Sequence, residues 1–290
     1  MNDPETIDSV TRPMYWSVRR ELAENRSIYI APLVVAALAL FGFSLGSFAG
    51  IWEKALRLDV TQAASKVAEP YTYVSGLLMA TTFIVGVFYS LDALFGERRD
   101  RSILFWKSLP VSDRTAVLSK AIVAIVVLPL LTFVITIITQ ALILLVSSAI
   151  VLASGQSVAM LWEKLPLLRM SGVLLHHLVV VHGLWHAPLF AWLLLVSAAV
   201  RHLPFIWAIL PLVAIQVLEK IAFRTSHFAN MLGKRMSGGE IGGAVMKPTA
   251  MHMHAGFAEF LIDPAFWIGL VVTALLLAGA VRLRRNRGPI

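Results

Sequence analysis

Four histidines crowd one apolar stretch, "HHLVVVHGLWH", as His176, His177, His182 and His186. At helical spacing His182 and His186 share a face, while His177 points nearly opposite. An i, i+4 imidazole pair can ligate a metal or haem, but no carboxylate or thiolate accompanies it within the stretch. Polar groups are costly in so apolar a setting, so interhelical hydrogen bonding and the handling of a proton or cation are the other readings. No nucleophile motif stands nearby, and a Ser-His-Asp hydrolase is unsupported. A second group, Met251, His252, Met253 and His254, combines thioethers with imidazoles and suits Cu(I). In an extended chain its Met pair and His pair point to opposite sides, which favours a loop packed over an outer mouth. No G-x-x-x-x-G-K-[ST] cradle occurs; "LGKR" at 232–235 has only the Gly-Lys. If ATP powers this protein, another polypeptide binds it. The chain has no Cys, which removes disulfides, thiolate ligands and cysteine nucleophiles together. No catalytic set emerges.

The elements that must hold these residues are apolar helices. Of 290 residues, 58% are hydrophobic and 14% charged, where a soluble domain carries roughly a quarter charged. The fold class is therefore an all-α integral membrane protein, a single transmembrane domain over 1–290. Six stretches reach the roughly 20 residues that a bilayer core requires: 27–49, 74–95, 117–152, 171–200, 203–222 and 264–283. The third is too long for one crossing and should protrude, tilt or bend near Pro129. The fourth and fifth, joined by "RHLP" at 201–204, make a tight hairpin. No cleavable leader is visible in the polar, charged first 27 residues, so the first span is expected to stay in the membrane. Fifteen of the 25 Lys and Arg fall in the N-terminal segment, in 96–120, in the hairpin turn and in the tail. The positive-inside rule puts these regions and both termini in the cytoplasm, and the 223–263 loop outside. The net charge of +8 sits beside the spans, so the partner it implies is anionic membrane lipid rather than nucleic acid.

Three connecting features stand out. Residues 10–26 place Tyr15, Val18 and Leu22 near one face and Arg19, Arg20 and Glu24 away from it, the pattern of a helix lying in the membrane interface. Gly42, Gly46 and Gly50 repeat at spacing four along the first span, which allows close helix packing within one subunit or at a dimer seam. The strip 96–115, "GERRDRSILFWKSLPVSDRT", carries charge and aromatics between two apolar spans. A short amphipathic helix ending before Pro110 is expected there, with Ser112 as N-cap of the third span. That helix either anchors in the headgroups or docks a cytoplasmic partner.

The run "LDALFGERRDRSILFWKSLPVSDRTAVLSK" resembles the cytoplasmic connection of ABC-2 type transporter permeases, the membrane subunits of a class of ATP-driven exporters. "VRRELAENRSIYIAPLVVAAL", "HAPLFAWLLLVSAAVRHLPFIWAILPLVA" and the terminal "WIGLVVTALLLAGAVRLRRNRG" resemble the same family, so the likeness covers most of the chain. The resemblance implies six transmembrane helices, an N-terminal elbow helix and a cytoplasmic coupling helix between spans 2 and 3. It implies a dimer, homodimeric by expectation, that recruits two ATPase subunits holding ATP and Mg, in a bacterial cytoplasmic (inner) membrane. By position, the coupling residues would be Glu97, Arg98, Arg99, Asp100, Arg101, Phe105, Trp106 and Lys107. The Glu-Ala-Ala signature of importer permeases is absent, which favours export, of an amphiphilic, lipid, peptide or drug-like substrate.

Overall fold

The computed structural model describes residues 4–48, 60–109, 111–153, 155, 157–159, 162, 167–237, 262–288 and 290. Among the described residues there are helices and turns but no strands. In chain order the helices are α1 (Pro4–Glu24), α2 (Ser27–Phe48), α3 (Val60–Asp92), α4 (Phe95–Arg99), α5 (Ser102–Ser108), α6 (Asp113–Ile122) and α7 (Leu128–Ala153). They continue with α8 (Leu167–His176), α9 (Ala187–Ala199), α10 (Pro204–Phe223), α11 (His227–Met236) and α12 (Pro264–Asn286). π-helical turns join α6 to α7 (Val123–Val127) and follow α8 (His177–Trp185).

Five helices are long and apolar enough to cross a membrane, and a sixth span arises if the bent pair Met170–Trp185 and Ala187–Ala199 counts as one. The pair bends by 46°, so the expected fourth span is not straight. Pro188 opens α9 and donates no backbone hydrogen bond, which ends the preceding turn at His186. The expected distortion near Pro129 takes the form of the π-helical turn just before it, continuous with helix on both sides. The two π-helical turns pack against each other. Gly183 makes this possible, because a Cβ there would lie 3.1 Å from the Ile125 carbonyl oxygen. Ile125 is four residues before Pro129, the residue that cannot donate to its carbonyl.

α3 starts well before the apolar run of its span and includes Pro70, while α1 extends further toward the N-terminus than its amphipathic stretch. Among the described residues, the two largest of four apolar clusters fill most of the bundle. One, around Ile28, Leu94, Val117, Leu128, Phe190 and Leu194, joins α2, α3, α6, α7 and α9 toward the end bearing the charged strip. The other, around Tyr71, Leu78, Ile135 and Ile143, joins α2, α3 and α7 further along. Hydroxyls stitch these apolar faces. Thr82 bonds Thr132, and Gln140 donates to the Ser75 hydroxyl at 2.9 Å.

Candidate functional site at the charged end of the bundle

The strip begins with a break. α3 stops at Asp92, and α4 starts after two residues whose neighbours are held by Ser197 of α9. Its hydroxyl oxygen accepts from the Leu94 and Phe95 amides at 3.0 and 2.9 Å. That satisfies two of the donors that a helix start leaves free. α4 is thereby sunk into the bundle, and Glu97 and Arg98 are both buried. Arg98 donates to the carbonyls of Ala198 (2.8 Å), Val200 (3.0 Å) and Gly288 (3.3 Å), while the Ile290 amide donates back to the Arg98 carbonyl. One guanidinium thus ties the strip to the α9–α10 turn and to the C-terminal tail.

Glu97 enters a buried ion network. Its carboxylate lies 3.0 Å from Lys120 on α6, 2.9 Å from Arg284 on α12 and 3.5 Å from Arg20 on α1. Lys120 also pairs with Glu21 at 2.7 Å, Arg20 with Glu21 at 2.7 Å, and Arg284 with Asp113 at 2.5 Å. The Tyr89 hydroxyl donates to Glu21 at 3.0 Å. Three carboxylates and three cations meet here and join α1, α4, α6 and α12, with the exposed Glu24 a further 3.8 Å from Arg20. Burial acts to raise the Glu21 carboxyl, but the charge and hydrogen bond of Lys120, with Arg20 behind them, hold it below its ordinary value. Sequence reading missed this network because its cross-helix partners stand 23 to 187 residues apart. Its one signal was a set of charges at the very ends of apolar runs.

α5 behaves differently. Arg101, at φ 59°, turns the chain in the left-handed region and sets α5 on top of the bundle. Ile103 is buried beneath it, and Trp106, on the same face, lies under the Arg20 guanidinium at 3.8 Å from the ring centre. Leu104 and Phe105 face away and are each 59% exposed. Lys107 is exposed and donates to the Arg285 and Arg287 carbonyls at the end of α12. Arg99 and Asp100 form an exposed pair at 3.0 Å, and Asp92 lies 3.6 Å from Arg99. Ser112 caps α6, accepting from the Thr115 amide at 3.1 Å, as its position before the third span led one to expect. The eight strip residues singled out by sequence therefore divide. Glu97 and Arg98 point inward, Trp106 bridges, and Arg99, Asp100, Arg101, Phe105 and Lys107 face outward.

The other candidates lie elsewhere. The rings of His182 and His186 are 6.0 Å apart, in contact with Phe83 and Phe190, and His186 Nε2 meets the Met236 carbonyl of α11 at 3.3 Å. The π-helical winding also brings buried His177 within electrostatic reach of both. Among the described residues no group of three His, Cys, Asp or Glu could hold a metal ion. Met251, His252, Met253 and His254 lie outside the described residues, as does Gly50. Gly42 is exposed, and a Cβ there would meet nothing within 4 Å. At the opposite end of the bundle Arg235 of α11 stacks on Trp185 at 4.5 Å and presses against Gly269, where any side chain would collide with it.

Among the described residues the fold and site define a helical protein with five or six helices long and apolar enough to span a membrane and one charged, ion-paired end. Comparison with family models, curated proteins and solved structures finds no match.

Proposed function

We propose that this chain is the permease subunit of an ATP-driven exporter, in which α5 docks a separate cytoplasmic ATPase and α4 carries the resulting movement into the spans. The observation behind this reading is the pairing of an exposed apolar face, Leu104 and Phe105, with a rigid base only three residues away. A lipid anchor needs the first feature but not the second. A push on α5 reaches Arg20 through Trp106, and reaches α6 and α12 through Glu97, Lys120 and Arg284. α6 leads directly into the paired π-helical turns, where helices carry an extra residue per hydrogen-bonded ring and can shift register. The bare Gly42 face of α2 supports association with a second copy, which would complete a pathway between two subunits. The C-terminal tail and the α9–α10 turn both bond Arg98 beside α5, which supports a common, cytoplasmic side for them. ATP and Mg belong to the partner, and the cargo is an amphiphilic, lipid, peptide or drug-like molecule. Affinity purification of the full chain in mild detergent tests this: an ATPase with a Walker motif should copurify in equal copy number with the permease. Reproducible isolation without any nucleotide-binding partner would remove the reading.

A further inference from the structure

The α9–α10 turn encloses an open recess of about 390 Å³ lined by Ala199, Val200, Arg201, His202 and Trp207. That is within the roughly 300–1,000 Å³ of small-ligand sites. One side of it is cationic. Arg201 and His202 are exposed at its rim, and Arg98 lies behind it on the Val200 carbonyl. The positive charges of Arg201 and Arg287 reach Arg98. The described ion pairs engage Arg20, Arg99, Lys120 and Arg284, and none of them supplies a carboxylate to Arg98, Arg201 or Arg287. Every cation of the neighbouring network has a carboxylate partner, so this surplus beside a recess is a local exception. The other side is apolar. Trp207 is 51% exposed, and Ile206, Leu210 and Val213 continue up α10 with their side chains uncovered.

A cationic rim at the foot of an uncovered apolar helix has the layout of a phospholipid: a charged head with a hydrocarbon tail attached. We propose that this recess binds the phosphate of a net-anionic phospholipid, held by Arg201 and His202, with an acyl chain along Trp207 and α10. Guanidinium matches phosphate oxygens in a two-pronged hydrogen bond, and a basic group beside the membrane is drawn to anionic headgroups. The site does not depend on a partner ATPase.

The test uses the full chain in mixed micelles of detergent and phosphatidylcholine, titrated with brominated phosphatidylglycerol. Tryptophan quenching is followed, and a Trp207→Phe variant is subtracted to isolate Trp207. Brominated phosphatidylglycerol should quench Trp207 at about a tenfold lower mole fraction than brominated phosphatidylcholine. The double variant Arg201→Ala with His202→Ala should lose that preference with an unchanged melting curve, since both side chains are exposed. Arg282→Ala, an exposed cation outside the recess, should keep it. Retention of the preference in the double variant would overturn the site. Its abolition by millimolar inorganic phosphate would overturn the lipid assignment in favour of a free phosphate.

Discussion

α4 and α5 are adjacent short helices in one charged strip, yet they have opposite environments. In α4 Glu97 and Arg98 are inside, at 8% and 3% exposure, and their side chains bond other parts of the protein, while Arg99 at its end stays in solvent. In α5 the apolar residues are outside, with Leu104 and Phe105 at 59%. Either helix alone would have an ordinary explanation, α4 as a structural clamp and α5 as a membrane anchor. Joined through Arg101 and Trp106, they set an exposed apolar face on a buried, ion-paired base. The comparison shows that charge in such a strip does not by itself mark its outer face: Glu97 and Arg98 build the base, while Leu104 and Phe105 face outward beside the exposed charges.

The largest effect should come from the base. Lys120→Met leaves Glu21 and Glu97 buried without the nearer of the two cations they share, and breaking a buried pair in this way costs about 3–5 kcal/mol. The melting temperature in detergent should fall by many degrees, and an unchanged melt would show that the network is not holding the bundle end. The acid limb comes next. The Glu21 carboxyl sits below its ordinary value of 4.5, so its contribution is complete above about pH 4.5 and is lost as pH falls through the lower folded value. Melting should be insensitive to Glu21 between pH 7 and 5 and decline below that, and Glu21→Gln should flatten the decline. Exposed charges should matter little. Arg99→Glu removes pairs that stand more than half in solvent, worth at most about 1 kcal/mol, and any effect on partner binding should shrink with salt. The smallest change concerns the link. Arg101→Gly relieves a left-handed residue at a gain of roughly 1 kcal/mol in backbone energy, partly offset by a looser joint. A destabilised base there would argue that the Arg101 side chain itself is needed.

The sequence made much of the scaffold legible. Apolar length alone located the helices of the spans, because a bilayer sets a minimum that few soluble helices meet. The Ser112 cap and the end of α5 before Pro110 followed from local chemistry. What stayed hidden was of two kinds. The π-helical turns lie in runs such as "VAIVV", where every residue is apolar and nothing local marks a change of winding. The ion network depends on which helices are neighbours, as with Glu97 and Arg284. Hydropathy is silent on that point in a membrane chain, where a helix facing lipid and a helix facing protein read alike. α9 and α10 illustrate this: both are strongly apolar, but most of α9 is enclosed while Ala208 alone is buried in α10.

The central claim is that α5 contacts a partner while α4 and its network only support it. The most direct measurement pairs melting with retention of the copurifying ATPase, for wild type and for Leu104→Ala with Phe105→Ala, in lipid bilayers. The account predicts an unchanged melt and partner retention reduced by at least tenfold in the double variant, because apolar anchors carry on the order of 2–4 kcal/mol in such contacts. Full retention with an unchanged melt would contradict it, and would leave α5 a membrane anchor.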